Sequence, residues 1–254
     1  MPLLTLDALT MRFGGLTAVG DLNMSVPERA LVGLIGPNGA GKTTVFNVIT
    51  GVYEPSEGSV TFDGASIVGR RPHEIAHAGI ARTFQNIRLF PSMTVAENVR
   101  VGFNNLARTG LVGSIVQLGR YHAEEADFDR RTDELLDMFK LLPERAELAK
   151  SLSYGDQRRV EIVRALATRP KLLLLDEPAA GMNPTEKAEL MKLIRYIRDT
   201  LGISIMLIEH DMKVVMGICE HVTVLDYGVK IAEGTPEQVK SNPKVIEAYL
   251  GEAV

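Results

Sequence analysis

Residues 36–44 read GPNGAGKTT. Glycines, a lysine and a hydroxyl at this spacing are what a chain needs to hold a row of phosphates. The segment fits G-x-x-x-x-G-K-[ST], a loop whose backbone N–H groups turn inward onto an anion. Gly36, Gly39 and Gly41 let the backbone wrap closely, and Pro37, Asn38, Ala40 and Thr44 belong to the same ATP-binding set. Lys42 is expected to reach the β- and γ-phosphates, and the Thr43 hydroxyl is placed for Mg²⁺.

A second constellation lies at KLLLLDEP, residues 171–178. Four leucines predict a buried strand, so Asp176 emerges at its carboxyl end, where a parallel sheet binds ligands. Asp176 is suited to hold Mg²⁺, mostly through water. Glu177 is the residue to orient and deprotonate a water attacking the γ-phosphate. An isolated Asp-Glu after leucines would read as a helix cap. Beside a phosphate loop it reads as the second half of an ATP-hydrolysing site. A third stretch, SLSYGDQRRV at 151–160, poses a question. Ser153 and Gly155 resemble another anion-binding helix start, although the chain already has a phosphate loop.

The elements that must position these residues follow an α/β pattern. LLTLDAL (3–9) and GDLNMSV (20–26) alternate like half-buried strands, and ALVGLIG (30–36) is a continuous apolar run, as in a strand buried on both faces. The helix after it should stop at Gly51. EPSEGSVTFDG predicts a turn, a strand and an antiparallel hairpin edge. From about 97 to 170 helical periodicity takes over, which predicts an inserted helical subdomain, and 104–122 is a glycine-dotted loop or helix elaboration. Buried strands return at 171–175 and 203–208, HVTVLDYGVKIAEG (221–234) predicts a closing hairpin, and the tail should form two short helices split at Asn242-Pro243.

Composition excludes several classes. The net charge is −4, and the arginine pairs at 70–71, 130–131 and 158–159 sit among acidic residues, so they read as solvated faces rather than a nucleic-acid groove. The single cysteine, Cys219, has no internal disulfide partner, which predicts a buried thiol in a reducing compartment. The apolar runs are too short to span a membrane, and the N-terminus does not read as a secretory signal. If the protein serves a membrane process, other chains are expected to supply the membrane part.

The phosphate loop, LSYGDQ, LLLLDEP and IEHD fall in the order and approximate spacing of the ATP-binding subunits of ABC transporters, and the resemblance covers essentially the whole chain. RTFQNIRLF, DEPAAGMNP, LIEHDMKVVMGI and the ending GTPEQVKSNPKVIEAYLGEA look most like the larger ATP-binding subunit of branched-chain amino-acid importers. The resemblance implies a P-loop NTPase core with a parallel sheet, an antiparallel β subdomain and an inserted helical subdomain. Residues 1–96 and 171–235 would form the ATP-binding core, 97–170 the helical subdomain and 236–254 a helical tail.

The resemblance also implies an answer to the question at Ser153. In this family the LSYGDQ helix start reads the ATP of a second subunit across a head-to-tail dimer, so Ser153, Tyr154, Gly155 and Asp156 would face a partner's γ-phosphate. Tyr154 and Asp156 stand where the common form has glycine and glutamine. Gln85 matches the glutamine that senses Mg²⁺ and faces the membrane subunits; on its own it is a polar loop residue. His210 matches the switch histidine between the γ-phosphate and Glu177; on its own it reads as a structural histidine. Phe13 matches the aromatic that stacks on adenine, with core packing as the alternative. Asn183 replaces an aspartate that crosses the dimer interface.

The function so implied is an ATP- and Mg²⁺-dependent motor on the cytoplasmic side of the inner membrane. Its partners would be a second ATP-binding subunit (a copy or a sister), two permease chains and, indirectly, a substrate-binding protein outside. The alternatives are a cassette of another transporter, such as lipopolysaccharide export, or a soluble ABC ATPase acting on nucleic acid or ribosomes.

Overall fold

The computed structural model describes residues 2–104 and 119–250. Most of the 104–122 elaboration expected from sequence lies outside the described residues. The chain divides into two compact units, Met1–Arg82 with Lys171–Val254, and Thr83–Pro170.

The first unit holds both sheets. β1 (Pro2–Phe13) and β2 (Leu16–Pro27) form an antiparallel pair, and β4 (Glu57–Phe62) lies on the other side of β1, with the two-residue β5 (Ala65–Ser66) at the edge. In β2, Leu22, Met24 and Val26 are buried while the residues between them are exposed, so the strand covers the core with one face.

The larger sheet runs in the order β10-β9-β3-β8-β7-β6. Its inner strands are β3 (Leu31–Ile35), β7 (Leu172–Asp176), β8 (Ser204–Ile208) and β9 (His221–Asp226), with β6 (Ile80–Arg82) and β10 (Val229–Gly234) at the edges. All neighbours are parallel except β9 and β10, which close the sheet as the hairpin read from sequence. Every residue of β3, β7 and β8 is buried, as continuous apolar runs require when both sheet faces are covered.

Helix α1 (Lys42–Ile49) follows β3 and presents Val45, Phe46 and Ile49 to a core shared by Leu4, Leu6 and Leu22 of the small sheet and Leu174 and Met206 of the large one. Gly51 follows the helix with φ 71°, the left-handed stop expected there. Helix α2 (Pro72–Ala78) precedes β6.

The second unit is helical. It contains α3 (Val95–Phe103), capped by Thr94 and Glu97, then α4 (Gly119–Met138) and α5 (Tyr154–Ala167). After it the first unit resumes with β7, α6 (Pro184–Leu201), β8, α7 (Met212–Ile218) and the hairpin. The tail forms α8 (Pro236–Lys240) and α9 (Pro243–Leu250), separated at Asn242 as read from sequence. Among the described residues no helix is long and apolar enough to cross a membrane.

Cys219 is buried, as expected, at the end of α7. Burial pushes its thiol up to about 12, which leaves almost no thiolate at neutral pH.

Candidate functional site

In the first unit the loop at Gly36–Gly41 joins the carboxyl end of the central strand β3 to the start of α1, so α1 aims its open N–H groups at the loop. Two of its glycines are dictated by space and conformation. Gly36 has φ 150°, and a Cβ there would lie 2.0 Å from the Leu225 carbonyl oxygen; Gly41 has φ 99°, and a Cβ would lie 2.5 Å from that of Ala18. The loop is closed by Ala40 N–H donating to Pro37 O at 3.2 Å and is held to the β9–β10 turn by Gly228 N–H donating to Ala40 O at 3.1 Å.

Lys42 is buried at the first position of α1. Its Nζ donates to Gly36 O at 2.6 Å and Pro37 O at 2.7 Å, so the ammonium is folded into the loop that it is expected to serve. Thr43 is exposed and Thr44 half-buried on the same turn, while Asn38 and Gly39 form the exposed lip.

β7 delivers Asp176 to the carboxyl end of the sheet, 4% exposed. Its Oδ2 accepts from Arg82 NH2 at 2.7 Å, and Arg82 NH1 donates to Asn47 Oδ1 at 2.7 Å. Arg82, at the end of β6, thus ties the carboxylate to α1. Sequence reasoning missed it; the available signal was a guanidinium ending a short strand next to the Asp176 strand. Glu177 follows with φ 47°, a left-handed conformation rare for a residue with a Cβ, and its N–H donates to Ile208 O at 2.9 Å. The strained backbone fixes where the carboxylate leaves the sheet.

The structure brings His210 to this group: its Nδ1 lies 3.6 Å from Glu177 Oε2. The residue that shapes this approach is Glu209, also missed from sequence. Glu209 is fully buried and accepts from the N–H groups of Ala179 at 2.8 Å, His210 at 3.1 Å and Asp211 at 3.2 Å. It therefore pins the segment after β7 to the segment after β8. A carboxylate directly after the apolar run ISIMLI was the only hint. Asp211 caps α7 and pairs with Lys187 of α6 at 2.6 Å, and the hydrogen bond from Lys187 holds the Asp211 carboxyl below its ordinary range.

Phe13 ends β1 with 42% of its surface exposed, its ring edge-on to Tyr53 at 5.1 Å, so it is not a core residue. Asn183 caps α6: its Oδ1 accepts from Thr185 N–H at 2.9 Å and Glu186 N–H at 3.0 Å.

The remaining candidates belong to the second unit. Ser153 is the N-cap of α5; its Oγ accepts from Asp156 N–H at 3.2 Å and donates to Asp156 Oδ2 at 2.7 Å, and Arg159 pairs with the other Asp156 oxygen. Gly155 is buried and Tyr154 is 45% exposed. Gln85 lies in the segment before α3. The reading of the 158–159 pair as a solvated face is corrected here. Arg158 is wholly buried, because its guanidinium has the Glu161 carboxylate and the Phe84 and Gln85 carbonyls as partners inside the unit.

Among the described residues no group of three or more His, Cys, Asp or Glu side chains forms a metal cluster. The oxygens on offer in the first unit are a hydroxyl at Thr43 and a carboxylate at Asp176. These are hard donors of the kind Mg²⁺ takes when substrate phosphates complete its shell.

Residues 19–180 match the family model described as ABC transporter, and residues 229–254 match the model described as branched-chain amino acid ATP-binding cassette transporter. The chain is 46% identical over 252 residues to the high-affinity branched-chain amino acid transport ATP-binding protein BraF of Pseudomonas aeruginosa, covering 99% of each. It superposes on the crystal structure of the ADP conformation of an ABC transporter cassette with a TM-score of 0.86 at 34% identity, covering 99% of both chains. It superposes on the dimeric structure of a bacterial ABC transporter cassette with a TM-score of 0.77 at 26% identity, covering 92% of this chain and 98% of that one. With a phosphate loop on the central strand, an acidic pair at the end of another buried strand of the same sheet and full-length likeness on both counts, this chain belongs to the ABC transporter family, as one of its ATP-hydrolysing cassettes.

Proposed function

We propose that this cassette drives an importer for branched-chain amino acids. Its partners would be two permease chains, a second cassette (a copy of itself or a sister) and a substrate-binding protein outside. It would work as a peripheral protein on the cytoplasmic side of the membrane. The observation that carries the cargo is the likeness to BraF over 99% of both chains, together with the match of the C-terminal segment to the branched-chain model. That segment favours this reading over a lipopolysaccharide-export cassette.

The residues divide the work. Backbone N–H groups of the Gly36–Gly41 loop and the Lys42 ammonium bind the phosphates, and Phe13 offers a ring face to adenine. Thr43, Asp176 and, from the second unit, Gln85 would hold Mg²⁺, which supplies positive charge to the phosphate oxygens when bound. Glu177 takes the proton of the attacking water. His210, whose Nδ1 lies 3.6 Å from Glu177 Oε2, would bridge the γ-phosphate and Glu177. Ser153, with Tyr154, Gly155 and Asp156, addresses the nucleotide of the other cassette; the Ser153 hydroxyl would exchange its Asp156 contact for a phosphate oxygen. Asn183 lies at the interface between cassettes, where its amide can bridge while its oxygen caps α6.

Uptake tests the cargo. Cells lacking this chain should take up labelled leucine, isoleucine and valine at a small fraction of the normal rate, with an unrelated amino acid unaffected. The intact chain should restore uptake and Glu177→Gln should not. Normal uptake of all three in the deletion, with a defect in another transported substance, would contradict the assignment.

A further inference from the structure

In the second unit, one buried guanidinium joins the start of α5 to the backbone around Gln85. Arg158 NH1 donates to Phe84 O at 2.5 Å and to Glu161 Oε2 at 2.8 Å, and NH2 donates to Gln85 O at 2.6 Å and to the Tyr154 hydroxyl at 3.2 Å. Glu161, 1% exposed, accepts from Arg88 N–H at 3.2 Å through its other oxygen. Residues 154, 158 and 161 lie on one face of the helix, since side chains three and four apart are neighbours. That face grips the 84–88 segment at three backbone points. Two residues further on, buried Asn98 holds the chain, accepting from Phe90 N–H at 2.9 Å and donating to Phe90 O at 3.1 Å.

Stability alone does not call for this arrangement. A buried ion pair is often no better than well-packed apolar side chains of similar volume. An apolar residue cannot, however, bind two successive carbonyls, whereas the planar fork of arginine can. Tyr154 acquires a reason as well: its hydroxyl accepts from Arg158 and its ring lies 5.9 Å from the guanidinium carbon. A glycine at this position could make neither contact. The residue beside the capping Ser153 is thereby linked, through one side chain, to the carbonyl of Gln85.

We propose that Arg158 is a positioning residue, which sets the Gln85 backbone by the α5 helix start and so couples what Ser153 and Tyr154 meet to where the Gln85 amide is presented. This rests on the proposed role of Gln85 at the Mg²⁺–nucleotide site. Arg158 is wholly buried among its partners, so it would act through the Gln85 backbone rather than on nucleotide or metal directly.

The test compares Gln85→Ala, the pair variant Arg158→Met/Glu161→Gln, and the triple combination. The Glu161→Gln change avoids a stranded buried carboxylate and keeps an oxygen for Arg88 N–H. In steady-state ATPase assays Gln85→Ala and the pair variant should each lower kcat about tenfold with KM for ATP unchanged, and each should raise the Mg²⁺ concentration needed for half-maximal rate. The triple variant should be no slower than either, because both changes remove one function. Tyr154→Phe, which deletes a single hydroxyl, should show the same kcat and Mg²⁺ effects at about two- to threefold, and keeps the test open if the pair variant folds poorly. Multiplying losses of about a hundredfold in the triple variant, or normal kcat and Mg²⁺ dependence in a folded pair variant or in Tyr154→Phe, would overturn the proposal. A Gln85→Ala variant with normal kcat would instead refute the role of Gln85 from which the coupling starts.

Discussion

Glu177→Gln should lower the rate of ATP hydrolysis by about two to four powers of ten while leaving ATP binding intact, because general bases contribute on that scale. The amide keeps the size of the side chain and its capacity to hold a water, but it cannot take the proton. Nothing in the phosphate loop is altered. The backbone that directs residue 177, with φ 47° and its N–H on Ile208 O, does not depend on the side-chain charge. The comparison to make is steady-state turnover against equilibrium ATP binding in the same preparation. Turnover within a few-fold of the unaltered protein would remove Glu177 from the role of base and direct attention to Glu209, the other carboxylate near His210. Glu209 is a poor alternative, since its oxygens are spent on three backbone N–H groups.

Lys42→Ala should weaken ATP binding by about one to two powers of ten, since losing one charge-assisted hydrogen bond costs about 1.5–3 kcal/mol. The fold should survive. Lys42 donates to Gly36 O and Pro37 O, but the loop also has its own Ala40–Pro37 hydrogen bond and the Gly228 contact. A modest fall in Tm is therefore expected, together with the large loss of affinity in a calorimetric titration. Unchanged affinity in the presence of Mg²⁺ would contradict the reading of this loop as the phosphate site.

Much of this was legible in the sequence because particular stretches permit few alternatives. The run LLLLDE admits a strand buried on both faces with its carboxylates at the exit, and β7 with Asp176 and Glu177 follows. GPNGAGKTT allows the sharp chain path at Gly36 and Gly41, where any Cβ would meet a carbonyl oxygen. Alternation in LNMSV gave the half-buried β2. What stayed hidden depends on contacts between residues far apart in the chain. Arg158 reads as surface in RRVEIVR until Phe84 and Gln85 are folded back onto α5, 73 or 74 positions away. Arg82 meets Asp176 across 94 positions. Glu209 looks like an ordinary polar residue after a strand until the segment carrying Ala179 supplies a distant donor beside the two local ones. Local pattern encodes burial and turns, whereas the partner of a buried charge is set by tertiary pairing.

The central claim is that each ATP is held by two chains, one giving the Lys42 loop and the other the Ser153 helix start. Mixing two variants tests it most directly: Lys42→Ala and Ser153→Arg, each also carrying Glu177→Gln so that bound ATP is not turned over. Ser153→Arg should leave ATP binding to the isolated chain nearly unchanged, because its own loop is untouched, and should block pairing where the bulky cation fills the phosphate's place. A mixed pair then contains one ruined site and one composite site with an intact loop and an intact helix start. The quantity to measure is ATP that stays with protein through rapid gel filtration. The account predicts retained ATP in the mixture and none in either variant alone. Loss of ATP binding by the isolated Ser153→Arg chain would contradict it, for the helix start would then be reading its own chain's nucleotide.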